Sequence, residues 1–155
     1  MSFNFDFKKI RFKNGKTIEQ QLKYEADRFK NILQRHIDDW YAAYSPTVYS
    51  RTYNMRNSIY ADDLVDIDTS SGSLKISVKY TDAAFHDSMY GDEQVNTLYL
   101  ENYGYQVQKP VWFKDIEHFG YRSAGHFLEN AVEEFNQDNY FGIKVEVINP
   151  DSIYK

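Results

Sequence analysis

One long amphipathic stretch constrains this chain more than any other feature. From about residue 17 to residue 44 apolar residues recur every three or four positions, without a glycine or proline. That spacing places them on one face of an α-helix. Thr17 and Gln20 are spaced as a capping box, and Ser45-Pro46 is expected to end the helix. The apolar positions are Ile18, Leu22, Ala26, Phe29, Leu33, Ile37, Trp40 and Tyr44.

Such a helix would be roughly 42 Å long at 1.5 Å per residue, longer than one small domain needs for its own core. We therefore expect part of its surface to meet another chain. Trp40 and Tyr44, near its end, are candidates for that contact.

The N-terminal residues alternate in polarity. Phe3, Phe5 and Phe7 alternate with Asn4 and Asp6, which predicts a strand that continues to Phe12 after a bulge at Lys8 and Lys9. Asn14-Gly15 then predicts a turn. Residues 1–13 are thus expected to form an N-terminal arm or edge strand.

The remaining elements are shorter. Residues 46–60 are expected to be a loop with one helical turn, and residues 81–97 an exposed loop. Alternation on both sides of Ser70-Ser71-Gly72-Ser73 predicts a hairpin with strands at 64–68 and 74–80. Further predicted elements are a helix at 95–103 ended by Gly104, a helix at 124–137 capped by Ser123, and a strand at 143–147.

These elements predict an α+β fold in one domain over residues 1–155. Strands and helices do not alternate regularly, so the sheet should be mostly antiparallel. It should pack with one long N-terminal helix and one shorter C-terminal helix.

Composition excludes several classes of protein. The net charge of −5 argues against general binding of duplex DNA or a membrane surface, because either needs a dominant basic field. The chain has no cysteine, which excludes disulfides, a thiolate nucleophile and any Cys-ligated metal site. There is no signal-peptide pattern and no apolar run long enough to span a membrane. We expect an intracellular protein that needs no cofactor.

Known catalytic templates do not fit. Asp66-Ile67-Asp68 opens like a calcium loop, but Gly72 comes one position late and Ser77 stands where the bidentate Glu belongs. Three histidines with nearby acids are the only candidate zinc ligands, and their spacing does not favour one site. These residues are His86, His118 and His126, with Asp87, Glu117 and Glu129. We expect no catalytic residue and no metal.

Aromatic residues are unusually frequent, with 14 Tyr and 11 Phe. Such residues suit contact surfaces between proteins, although Tyr is also a common half-buried strand residue. Phe3, Phe5 and Phe7 are the candidates for contact with a second copy. The neighbouring cations Lys8, Lys9, Arg11 and Lys13 fit single-stranded nucleic acid or, more simply, an edge strand protected from aggregation.

Three short segments resemble one family, the head-tail joining or tail-completion (minor capsid) proteins of long-tailed bacteriophages. Residues 51–59 (RTYNMRNSI) are similar to the family pattern Arg-Thr-Gly-x-Leu-Arg-x-Ser-Ile, with Tyr53 in place of Gly. Residues 99–105 (YLENYGY) resemble Tyr-x-Glu-x-Gly-Thr with one residue more before Gly104. Residues 126–131 (HFLENA) resemble Pro-Phe-Leu-x-Pro-Ala without either proline. The positions that carry the resemblance are Arg51, Thr52, Arg56, Ser58, Glu101, Gly104, Phe127 and Leu128.

The resemblance implies a virion protein without an active site. It would form a ring, expected to have six copies, in the neck between the DNA-filled head and the tail tube. Its partners would be copies of itself, a head-side adaptor or stopper and tail-tube proteins, with duplex DNA passing through without specific binding. It would assemble in the bacterial cytoplasm, without a membrane partner.

The acidic balance fits a DNA conduit, because a weakly repelling wall lets the duplex slide. Residues 81–94 carry four carboxylates and no Lys or Arg, so they are the candidates for a mobile loop that faces the channel. These carboxylates belong to Asp82, Asp87, Asp92 and Glu93. Two other classes stay open: a small acidic immunity or inhibitor protein that covers a basic partner, and a His-dependent metal hydrolase.

Overall fold

The computed structural model describes residues 7–43, 54–68, 70–87, 93–107, 120–122, 124–152 and 154. It has an α+β fold, as predicted. The helices are α1 (Ile18–Ala43), α2 (Asn54–Asn57), α3 (Thr97–Tyr103) and α4 (Phe127–Gln137). Short 3-10 helices span Phe7–Lys9 and Asp82–Ala84. The strands are β1 (Ile59–Ala61), β2 (Asp66–Asp68), β3 (Ser73–Lys75), β4 (Val78–Tyr80), β5 (Phe85–Asp87), β6 (Gln94–Asn96), β7 (Tyr105–Val107) and β8 (Gly120–Arg122).

Within the described residues the strands pair antiparallel, but in four separate ladders rather than in one sheet. The pairs are β1 with β4, β2 with β3, β5 with β6, and β7 with β8. Each strand is three residues long. A two-stranded ladder of this length is marginal by itself. The β1–β4 ladder is supported by the core beside α1, to which Ile59 and Val78 contribute.

Helix α1 confirms the strongest prediction to within one residue at each end. Thr17 and Gln20 form the predicted capping box: the amide of Gln20 donates to Oγ1 of Thr17 at 3.1 Å, and the amide of Thr17 donates to Oε1 of Gln20 at 2.9 Å. Two otherwise unsatisfied amides at the helix start therefore find acceptors. Tyr44 and Ser45-Pro46 lie outside the described residues.

The core forms where α1 packs antiparallel against α4. Trp40, late in α1, contacts Phe127 at the start of α4, with ring centroids 6.4 Å apart. Phe29, just before the middle of α1, contacts Phe135 near the end of α4, with ring centroids 5.7 Å apart. The core cluster consists of Leu33, Ile37, Tyr41, Met55, Ile59, Phe127 and Ala131. The apolar face of α1 thus packs within its own subunit. Contact of the remaining helix surface with another chain stays a prediction.

The two later helices begin after their predicted starts. Helix α3 begins at Thr97 because Oδ1 of Asn96 accepts the amide of Tyr99 at 3.2 Å. It ends at Gly104, whose φ of 79° is positive as predicted, although its ψ of 163° is extended rather than left-handed helical. Helix α4 begins at Phe127 after His126, which adopts the left-handed conformation and makes no side-chain cap bond. Ser123, the predicted cap, lies outside the described residues.

The predicted N-terminal strand is wrong where the structure describes it. Residues Phe7–Lys9 form a 3-10 helix, and Arg11 makes one bridge to Thr17. The guanidinium of Arg11 donates to the carbonyl of Lys8 at 2.7 Å and closes this compact turn. The turn at Asn14-Gly15 is confirmed, with Gly15 at φ 83°. Phe3 and Phe5 lie outside the described residues.

The hairpin of β2 and β3 is confirmed, with Ile67 opposite Leu74. The predicted strand over 74–80 is instead broken, and β4 leaves the hairpin to pair with β1. The exposed loop predicted over 81–97 is wrong, because its described residues include the 3-10 helix, β5 and β6. Ala84 in this segment is fully buried and holds it against the rest of the chain. A single small apolar residue in a polar stretch is too weak a sequence signal to predict such burial.

The closing strand predicted over 143–147 is also wrong, since these residues belong to no strand. The side chain of Asn139 bonds both backbone groups of Ile143 instead: its Nδ2 donates to the carbonyl at 2.7 Å, and its Oδ1 accepts the amide at 2.9 Å. Farther on, Tyr154 bridges to Val95.

Candidate functional site

The end of α3 and the start of α4 are joined by backbone hydrogen bonds. The amide of Gly125 donates to the carbonyl of Glu101 at 2.7 Å, and the amide of His126 donates to the carbonyl of Asn102 at 3.1 Å. We call this contact the α3–α4 junction. Glu101 and Phe127, which come from the second and third family-like segments, therefore lie at one place in the fold.

Asn102 is the polar centre of this junction. Its side chain is 1% exposed, its Oδ1 accepts the amide of Leu128 at 2.8 Å, and its Nδ2 donates to Oε1 of Glu129 at 3.1 Å. Asn102 thus supplies the N-terminal cap of α4 from another helix, because His126 provides none.

Gly125 permits the close approach. A Cβ atom at this position would lie 2.8 Å from Cδ1 of Trp40 and 2.9 Å from the carbonyl oxygen of Glu101. Neither distance allows a side chain without movement of the backbone or the indole. The indole of Trp40, which projects from α1, therefore packs directly against Gly125 at the junction.

The first family-like segment is fixed to α1. Nε of Arg56 donates to both carboxylate oxygens of Asp38, at 2.8 and 3.0 Å, and Gln34 donates to the carbonyl of Arg56 at 3.3 Å. Ser58 is fully buried, and its hydroxyl donates to the carbonyl of Met55 at 2.7 Å. Arg51 and Thr52 lie outside the described residues.

The structure thus brings described parts of all three segments around one core. Met55 and Ile59 flank Arg56 and Ser58, and both belong to the same cluster as Phe127, with Leu128 packed against it. The family-like residues within the described ranges act here in capping, close packing and ion pairing. They define a scaffold, and no catalytic grouping lies among them.

Sequence analysis missed Asn102 and Gly125 as key positions. An Asn inside a short helical pattern is a weak signal, because Asn favours caps and turns over helix interiors. Gly125 carries no local signal of its role, because the atoms that it approaches belong to Trp40 and Glu101, which are distant in the sequence.

A second polar cluster holds the helices together along their length. Glu134 of α4 is hydrogen-bonded to the guanidinium of Arg35, and its Oε2 lies 2.7 Å from Nε2 of His36. The bond from Arg35 is the main reason that the pKa of Glu134 is lowered from its ordinary value of 4.5. Arg35, His36 and Glu134 thus form a clamp between α1 and α4.

Arg28 closes the other end of α4. Its Nη2 donates to the carbonyls of Phe135 and Asp138 at 3.3 and 3.2 Å, and its guanidinium lies 4.1 Å from the centroid of the Phe135 ring. Its Nε donates to Glu25 at 2.7 Å, and Gln21 donates to the same carboxylate at 3.1 Å. A cation at a helix C-terminus is favourable because the last carbonyls there are partly negative.

The candidate zinc ligands are not assembled within the described residues. No group of three possible ligands occurs among them. Nδ1 of exposed His86 lies 2.9 Å from the carbonyl of Asp87, and Nδ1 of His126 lies 4.0 Å from Glu129. His118 and Glu117 fall outside the described ranges.

The predicted contact residues have mixed outcomes. The Trp40 ring contacts Tyr41 at 5.3 Å and Phe127 within its own chain, so its contact with another copy stays a prediction. Of the four acidic loop residues, Asp82, Asp87 and Glu93 are exposed, as expected, and Asp92 lies outside the described residues. The basic residues Lys8, Lys9, Arg11 and Lys13 are not explained as protection of an edge strand from aggregation, because the described part of their segment forms no strand.

A shallow depression of about 520 Å³ lies along α1, and the described residues that line it belong to that helix alone. In the part of the chain that the structure describes, no helix is long and apolar enough to cross a bilayer.

Comparison of the chain with protein-family models, with curated proteins and with solved structures gave no match.

Proposed function

We propose that this protein is a structural subunit of a bacteriophage neck, forming a ring that joins the DNA-filled head to the tail tube. The supporting observation is the convergence of three family-like segments, separated by up to about seventy residues, on one core. Arg56, Glu101 and Phe127 each hold a contact between elements there. A shared scaffold is what resemblance in a structural family should reflect, since such proteins have no catalytic residues.

Two further observations agree with this function. The histidines that offered a hydrolytic alternative are not grouped in the described residues. The net charge of −5 suits a wall past which DNA moves without being held. The inhibitor alternative predicts instead a monomer that binds one basic partner with one-to-one stoichiometry.

The test begins with purified virions of the phage that encodes this chain. Mass spectrometry should find the protein in intact particles, and gold-labelled antibody should mark the junction of head and tail. Deleting its gene should leave filled heads and complete tails that do not join. Absence of the protein from purified particles, or normal joining without it, would refute the proposal.

A further inference from the structure

The C-terminal segment contains an extended stretch without a strand partner. Residues 142–150 form neither turn nor bend. Nζ of Lys144 lies 3.1 Å from Oε1 of Glu146, so side chains two positions apart share one face, as in a β-strand. The stretch therefore has strand geometry but belongs to no ladder.

The backbone of this extended stretch is hydrogen-bonded by Asn139 along one edge, at Ile143, and has unpaired groups along the other edge. Both backbone groups of Ile143 are bonded by Asn139. In an extended chain the backbone groups of successive residues point to opposite edges. The backbone N–H and C=O groups of residues 144, 146 and 148 therefore point away from Asn139. In the described structure, residues 144–148 make no backbone hydrogen bond.

Exposed apolar side chains accompany this free edge. Ile148 is 88% exposed and Val147 is 44% exposed, while Phe141 and Tyr140 just before the stretch are 41% and 88% exposed. Extended backbone with unpaired groups and exposed β-branched residues is a template for a further strand.

We propose that residues 2–6 of one copy add as an antiparallel strand to residues 144–148 of a neighbouring copy. The inference rests on the proposed function, because it supplies a contact between ring subunits. Both segments have five residues, and polar and apolar residues alternate over residues 2–6 and over residues 144–147. Placing Asp6 opposite Lys144 also places Asn4 opposite Glu146, and this register pairs an acid with a base.

The same register aligns the apolar residues on the other face. Phe3 and Phe5 then lie opposite Val147 and Val145, respectively. Two Phe rings can each bury about 150–250 Å². Their sum is about half of the roughly 800 Å² per partner of a standard protein interface, so the added strand forms one part of the contact between copies.

The lack of a strand partner for residues 144–148 in the single chain favours a neighbouring copy as the acceptor. The rings of Phe12 and Phe141 are 4.7 Å apart, so the start of the arm lies beside the start of the acceptor stretch. In the single chain this stretch nevertheless forms no ladder. An arm passed to the next copy joins two different surfaces, and such a contact closes into a ring when the rotation permits.

Cysteine cross-linking tests the proposal directly, because the chain has no cysteine. Full-length Asn4→Cys protein is mixed with isotope-labelled Glu146→Cys protein, and disulfides between the two chains are measured by mass spectrometry. Opposite residues in a hydrogen-bonded pair lie about 5.5 Å apart, within disulfide range. Asn4→Cys mixed with Glu133→Cys, which places the second thiol on an exposed position of α4, is the matched control.

We expect the Asn4–Glu146 disulfide to form at least about tenfold faster than the control, because pairing raises the effective thiol concentration. Replacing Phe3 and Phe5 by Ser should reduce the rate to the control level without changing the thermal unfolding midpoint. Equal rates in the two mixtures would overturn the proposal.

Three other outcomes would also overturn it. One is a disulfide confined to single chains in the Asn4→Cys, Glu146→Cys double variant at low concentration, which would place the arm on its own subunit. Another is preferential joining of Glu146→Cys to itself, which would indicate symmetric pairing of the C-terminal stretch. The third is a collapse of stability on loss of the Phe3 and Phe5 rings. Cross-linking of a protein absent from virions would refute only the neck function.

Discussion

Oδ1 of Asn102 accepts a hydrogen bond from the amide of Leu128 at 2.8 Å, so one helix supplies the N-terminal cap of another. The same side chain donates to Glu129, and it is almost completely buried. The start of α4 thus depends on a residue 26 positions earlier in the chain.

We expect Asn102→Ala to destabilise the protein by about 2–3 kcal/mol, because the cap is lost and a buried amide is left unsatisfied. The free energy of unfolding, measured with urea, checks this. Asn130→Ala is the control, since Asn130 is exposed on the same helix. The junction would be less important than we infer if the two variants unfolded at the same urea concentration.

Gly125→Ala should be destabilising by about 1–3 kcal/mol, because the new methyl group meets the Trp40 indole and the Glu101 carbonyl. Movement of the indole should also shift the tryptophan fluorescence maximum. Gly72→Ala separates this effect from backbone strain, because Gly72 has positive φ but open space around it. It should cost stability without a change in fluorescence, and identical spectra for all three proteins would contradict the predicted clash.

The long helix, its cap and the β2–β3 hairpin were predictable because local patterns determine them. The capping box of Thr17 and Gln20 needs only four consecutive residues, and α1 repeats its apolar spacing over seven turns. Long local patterns of this kind are the most reliable part of sequence interpretation.

The wrong predictions concern segments whose structure depends on side chains outside the local sequence pattern. Residues 143–147 alternate like a strand, yet the side chain of Asn139 bonds Ile143. The local pattern predicts that α4 begins at residue 124, yet it begins at Phe127, where Asn102 from α3 supplies the cap. The core location of Trp40 depends on Gly125, which lies 85 positions away and has no local signature of that role.

Arg28→Ala should lower the free energy of unfolding by about 2–4 kcal/mol. The change removes both hydrogen bonds to the C-terminus of α4 and leaves the buried Glu25 carboxylate without its cation. Lys30→Ala serves as the control, because Lys30 forms only a long, exposed ion pair with Asp27, worth less than about 0.5 kcal/mol. Similar losses in both variants, measured by urea unfolding, would argue against a special role for Arg28.

Glu134 should make stability depend on pH in the acid range. Its folded-state pKa lies below the ordinary value of 4.5, mainly because of the bond from Arg35. Its contribution is therefore fully present above pH 4.5 and is lost as the pH falls through the folded-state pKa. Glu134→Gln should be less stable than the native protein near neutral pH, and its stability should fall less steeply below pH 4.5.

The measurement is the urea midpoint across this acid range. Glu133→Gln, at the exposed neighbouring position, should keep the native pH profile. Parallel profiles for Glu134→Gln and the native protein would show that the clamp contributes nothing to folding.

Charge reversal of the acidic loop tests the proposed path of DNA. If the loop faces the channel, Asp92→Lys with Glu93→Lys should slow DNA ejection, because the new cations attract phosphates. The delay should shrink as salt rises, because the attraction is screened over roughly 10 Å at 0.1 M salt. Asp63→Lys with Asp66→Lys is the matched control: it makes the same change in net charge at exposed positions of another loop and strand.

Ejection kinetics are to be compared in particles that contain each variant at the native level. A delay confined to the Asp92, Glu93 variant and relieved by salt would place this loop at the channel. Equal delays in both variants would point to a general effect of net charge. Native kinetics at low salt in the Asp92, Glu93 variant would place these carboxylates on the outer surface, where solvation alone explains the exposure of Glu93.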